Sequence, residues 1–145
     1  MKNVFFWIFA LAASLPTHAG VSVESGCYQQ ISEAVGKNTT FFFFQSYRDE
    51  ELLEDVGAFV SYKNSNKRIA LLFSDEIQGE GMNEGDYQKF WFEVINKKVA
   101  GQYVEYGNYN GNPGGKHIKY TSFTTNRVTT FRIATIASPC SAVTR

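Results

Sequence analysis

The sequence predicts a small, mainly β domain, an antiparallel barrel or sandwich of about seven strands with one or two short helices, on three observations. Short apolar and aromatic runs alternate with clusters of Gly, Asn and Asp, the pattern of consecutive strands joined by turns. Three pairs of these runs can be written as hairpins whose apolar residues share a face. Helical potential is confined to two brief stretches, residues 28–35 and 48–55. Sequential hairpins with so little helix favour a layered or closed all-β architecture.

The chain opens with Lys2, an apolar run from Val4 to Leu15, and then Pro16-Thr17-His18-Ala19 before Gly20. Such a run falls short of the roughly 20 residues a membrane-spanning helix needs and leads into small residues, as in a secretory signal peptide. Residues 1–19 are therefore expected to be a cleaved signal, and residues 20–145 a single exported domain, periplasmic or secreted. Cleavage removes Lys2 and no acid, leaving 13 bases against 14 acids, a formal net charge of −1. This balance offers no bulk electrostatic attraction for nucleic acid.

Two cysteines in an exported chain are expected to pair. Cys27 and Cys140 lie near opposite ends of the mature chain, so a disulfide between them closes nearly the whole domain into one loop. There is no Cys-x-x-Cys motif to suggest redox chemistry.

The first hairpin pairs residues 57–63 with 68–74, Val60 facing Leu71 and Tyr62 facing Ile69. In the second, residues 87–95 turn at Asn96-Lys97 and return through 99–106. A uniform register there sets Phe90 against Tyr103, Phe92 over Gly101 and Val94 against Val99 on the core face. Tyr87, Lys89, Trp91, Glu93 and Tyr106 then lie on the outer face. The third sets Ile118, Tyr120 and Ser122 against Thr135, Ile133 and Phe131, with a turn near Asn126-Arg127. Upstream, Phe41 to Phe44 reads as an inner strand apolar on both faces.

Catalytic constellations are weak. His117 is the single histidine of the mature chain, which removes two-histidine metal sites, and it reads as a surface residue between Lys116 and Lys119. Glu93 and Glu105 are the acids nearest to an aromatic setting that raises a carboxyl pKa, but they read as outer-face charges. The segment 75–86 lacks EF-hand spacing. Residues 111–116 fail the phosphate-loop pattern, with Asn110 and His117 where Gly and Ser or Thr are required. No catalytic residue, metal or cofactor is expected.

Two surfaces remain. Asp75, Glu76, Glu80, Glu84 and Asp86 form an acidic loop that complements a basic protein. Tyr87, Trp91 and Tyr106, with Tyr109 in the adjacent loop, form an aromatic face suited to stacking or anchoring. The favoured expectation is a non-enzymatic binding protein without a membrane anchor, acting on another protein, such as an inhibitor or immunity protein against a basic wall-degrading enzyme or toxin. The alternatives are a carbohydrate-binding module using the aromatic face, and a small hydrolase using Glu93 or His117.

Overall fold

Strands whose side chains alternate between two environments pair with their neighbours in sequence. The computed structural model describes residues 20–31, 39–65, 67–79, 83–111, 115–134 and 140. Its strands are β1 (Val21–Gln30), β2 (Phe41–Asp49), β3 (Glu54–Tyr62), β4 (Arg68–Gln78), β5 (Asp86–Ile95), β6 (Lys98–Asn108), β7 (His117–Ser122) and β8 (Val128–Ile133). Each pairs antiparallel with the next, and β8 returns to β1, so the sheet closes into a barrel and no strand is left as an edge.

The closed sheet resolves the choice between barrel and sandwich, and it has one strand more than expected. That strand is β1, whose end, Tyr28 to Gln30, overlaps the segment read as helical; residues 32–38 lie outside the described residues. The other helical expectation is replaced by a turn, since β2 runs to Asp49 and β3 begins at Glu54. No α-helix forms among the described residues. The expected signal segment, residues 1–19, also lies outside them.

Eight strands enclose an interior just wide enough for side chains to fill. Tyr28, Phe42, Phe44, Val60, Leu71, Trp91, Tyr103, Ile118 and Phe131 fill it here. The Phe42 ring meets Phe131 edge-on at 4.6 Å, and Trp91 lies 5.8 Å from Phe44 and 5.2 Å from Phe73 in the same T-shaped manner. Such edge-to-face pairs add to the gain from burial alone. The Phe41 to Phe44 run divides between faces: Phe42 and Phe44 point inward, while Phe41 and Phe43 stay half-buried.

The second hairpin overturns the expected assignment of faces. Its turn forms as the sequence indicates, with Asn96 and Lys97 both at positive φ (50° and 63°), the conformation of a tight two-residue hairpin loop. Val94 pairs with Val99, but Glu93 then pairs with Gly101, leaving Ala100 as an extra residue. A one-residue bulge exchanges the two faces of everything beyond it. Tyr87, Lys89, Trp91 and Glu93 consequently enter the barrel, while Phe90, Phe92 and Val94 sit half-buried outside. Ala100 is held by its carbonyl, which accepts a hydrogen bond from the Phe123 amide at 3.0 Å.

The other two hairpins slip by even steps, which preserves faces. Val60 pairs with Ile69 rather than Leu71, because a five-residue connection, 63–67, replaces the shorter turn. Ile118 pairs with Phe131 and Tyr120 with Thr129, around a turn in which Asn126 has φ 53°.

Closure depends on the short ladder between β1 and β8, which runs from Tyr28–Ile133 to Gln30–Phe131. The disulfide between Cys27 and Cys140, 113 residues apart, stands at the end of that seam. Beside it, the Ala134 amide donates to the Cys27 carbonyl at 2.9 Å.

Candidate functional site

The up-and-down topology sends its connections alternately to the two barrel ends. Residues 50–53, 79, 83–85, 109–111, 115 and 116 gather at one end, together with the start of β1. Beneath this mouth the buried charges Asp55, Lys89 and Glu105 are paired with one another or with less buried partners. Lys89 Nζ is 2.8 Å from Asp55 Oδ2, with Arg48 3.6 Å from the same oxygen. Lys116 Nζ is 2.8 Å from Glu105 Oε1 and also pairs with Glu24. The Tyr87 hydroxyl donates to Glu105 at 3.3 Å, and Lys89 lies under the Tyr87 ring at 5.1 Å. Buried charges persist only when paired in this way.

Burial pushes the Tyr87 phenol well above its ordinary pKa, and the neighbouring Glu105 carboxylate adds to the rise. For Lys116, burial pulls downward, but Glu105 and Tyr28 outweigh it and hold the ammonium well above the usual lysine range. The bases of the mouth are thus turned toward internal acids.

The rims of the mouth are acidic. Asp49 Oδ1 accepts the amides of Glu51 (2.9 Å) and Leu52 (3.0 Å), tightening the turn from β2 to β3. That turn ends on Leu53 at φ 56°, a conformation a bulky residue rarely adopts, and leaves Leu52 and Leu53 64% and 63% exposed. Two exposed leucines therefore stand beside Glu50 and Glu51 on a tip pinned by Asp49. Sequence reading missed this tip, having treated 48–55 as helical; the signal available was Asp49 placed to accept the amides that follow it.

Of the expected acidic loop, Asp75 and Glu76 belong to β4, Glu84 lies in an exposed turn, and Asp86 begins β5. Glu80 lies outside the described residues. Asp86 accepts from Asn108 Nδ2 at 2.6 Å and from Asn83, and the hydrogen bond from Asn108 holds its carboxyl below the usual range. The Tyr109 amide donates to Gly85, whose φ of 83° suits glycine, and the Tyr109 hydroxyl donates to Glu76 at 2.6 Å. These bonds tie Glu76, Gly85 and Asp86 to Asn108 and Tyr109.

The aromatic face expected on the surface does not form. Trp91 is 0% exposed and Tyr87 6%, both inside the barrel because of the Ala100 bulge. Tyr106 lies on the other side of β6, stacked on His117 at 4.5 Å, and Tyr109 is exposed on its loop. Glu93 and Glu105 likewise prove to be interior rather than outer-face charges, Glu93 accepting the Tyr120 hydroxyl at 2.7 Å.

A cleft of about 430 Å³ opens between β5, β6 and β7, lined by Asn83, Asp86, Tyr87, Tyr106, Gly107, Asn108, Gly115 and His117. Gly107 is required here, because a Cβ would collide with the Tyr87 ring. His117 donates through Nδ1 to the Gly115 carbonyl at 2.8 Å. No group of three or more potential metal ligands occurs among the described residues. Neither a family model, nor a curated protein, nor a solved structure matches the chain, so the functional reading rests on this geometry.

Proposed function

We propose that this protein is an exported, non-enzymatic binding protein whose long-loop end docks on a basic protein, as an inhibitor or immunity protein acts on a basic wall-degrading enzyme or toxin. One observation carries the reading: acidic side chains and the exposed Leu52 and Leu53 share a barrel end where Lys89, buried, and Lys116, half-buried, are both held in ion pairs. Acidic rims speed encounter and select a basic partner, and apolar tips supply the contact that water-exposed charge does not. The disulfide supports export, since such bonds persist in oxidising compartments.

The test is capture from envelope and extracellular fractions by the native, disulfide-bonded protein, against a variant carrying Glu50→Gln, Glu51→Gln, Leu52→Ser and Glu84→Gln. The expected result is a basic wall-degrading enzyme held and inhibited by the native form, released by salt and lost with the variant. Equal capture by both forms, or none, overturns the proposal.

A second reading, a small hydrolase, draws on the cleft that His117 lines. It requires hydrolysis of wall or polysaccharide substrates that disappears with His117→Ala in a protein that still folds. The carbohydrate-module reading loses its platform with the burial of Trp91 and Tyr87.

A further inference from the structure

The opposite end of the barrel is built from different residues. The hairpin tip between β5 and β6 exposes Ile95 (42%), Lys97, Lys98 and Val99 (50%). The neighbouring tip between β7 and β8 exposes Phe123 (45%), Arg127 and Val128 (58%). The two tips are joined where the Phe123 amide donates to the Ala100 carbonyl and the Phe123 ring packs 6.4 Å from Phe92. Around the rim, the connection between β3 and β4 adds exposed Lys63, Lys67 and Arg68. The acid on this half of the hairpin, Glu93, is buried inside the barrel and bonded to Tyr120, so among the described residues it does not offset these bases.

We infer that this end is a peripheral docking surface for an anionic lipid bilayer, Phe123, Val128, Val99 and Ile95 entering the interfacial region while Lys97, Lys98 and Arg127 meet phosphate head groups. Apolar side chains alternating with bases on adjacent tips match a surface that is apolar beneath an anionic layer. An anionic polymer offers phosphate or sulfate but nothing for four exposed apolar residues. A membrane-bound base also leaves the acidic, long-loop end facing away from the bilayer, where a soluble partner reaches it. The bilayer contact does not depend on that partner's existing.

The experiment is co-sedimentation of the full mature protein with phosphatidylglycerol-containing vesicles and with purely phosphatidylcholine vesicles, at low and high salt. The native protein is expected to bind the anionic vesicles and to leave them as salt rises. Neutralising bases one at a time, by Lys98→Gln and Arg127→Gln, is expected to weaken partition about fivefold each. Phe123→Ser is expected to weaken it as well while circular dichroism shows an intact barrel. No binding to anionic vesicles overturns the inference. So does binding indifferent to Phe123→Ser and matched by dextran sulfate, which identifies a polyanion site instead. Self-association abolished by neutralising Glu50 and Glu51, without vesicle binding, also overturns it and identifies a second copy as the occupant.

Discussion

Inside the barrel, Lys89 Nζ stands 2.8 Å from Asp55 Oδ2, with the two side chains only 5% and 3% exposed. Removing one partner strands the other charge in a medium that solvates it poorly. Asp55→Ala is therefore expected to destabilise the fold by about 3 to 5 kcal/mol. Replacing both residues, by Asp55→Leu with Lys89→Met, is expected to recover most of that loss. Denaturant unfolding of the three proteins checks this, and a single-variant loss below about 1 kcal/mol would show that water reaches the pair.

Trp91 and Phe92 are adjacent on β5 and face opposite ways. Trp91 touches Phe44 and Phe73 inside a filled barrel, so Trp91→Ala is expected to cost about 3 to 5 kcal/mol. Phe92 is half-buried outside, against Phe123, and Phe92→Ala is expected to cost about 1 kcal/mol. The reverse ranking in equilibrium unfolding would restore the uniform register and abolish the bulge at Ala100.

These adjacent residues show how far the sequence could be read. Turns were legible because Asn96 and Asn126 have side chains that tolerate left-handed backbone. Strand succession followed from alternation, and even-numbered slips in the first and third hairpins did no harm to the faces. The bulge was hidden, because both sides of β5 carry aromatics, Tyr87 and Trp91 on one and Phe90 and Phe92 on the other. Apolar content alone then chose the side with fewer charges. The barrel reverses that choice by pairing Lys89 with Asp55 and bonding Glu93 to Tyr120, partners supplied by strands distant in sequence. The acidic end was half legible: its β4–β5 residues stood out as a cluster, whereas the Leu52–Leu53 tip depended on a turn read as helix.

The disulfide bridges the weakest seam. Because the β1–β8 ladder is short and Cys27–Cys140 spans 113 residues, reduction releases both the closure and a large loop-entropy constraint. Replacing both cysteines by alanine is expected to lower stability by about 4 to 5 kcal/mol on the chain-entropy account. Intact mass with and without reductant reports the bond, and denaturant midpoints report its effect. A native chain with two free thiols would contradict the seam as described.

Alkaline pH is expected to unfold the barrel through its own tyrosines. Burial raises the phenol pKa of Tyr28, Tyr87, Tyr103 and Tyr120, with nearby Glu105 and Glu93 adding to the rise. Each of these groups holds its proton more tightly folded than unfolded. The stabilisation is fully present below the unfolded value, about pH 10, and is lost as pH climbs toward the folded values. Lys116 has the same sign, because its raised pKa also favours the protonated form in the fold. Tyrosinate absorbance and near-ultraviolet circular dichroism followed against pH are therefore expected to change together, in one cooperative step above about pH 10. Gradual ionisation of these phenols at their ordinary pKa, with the dichroism preserved, would mean that water enters the barrel and that the charges beneath its mouth are solvated rather than held by one another.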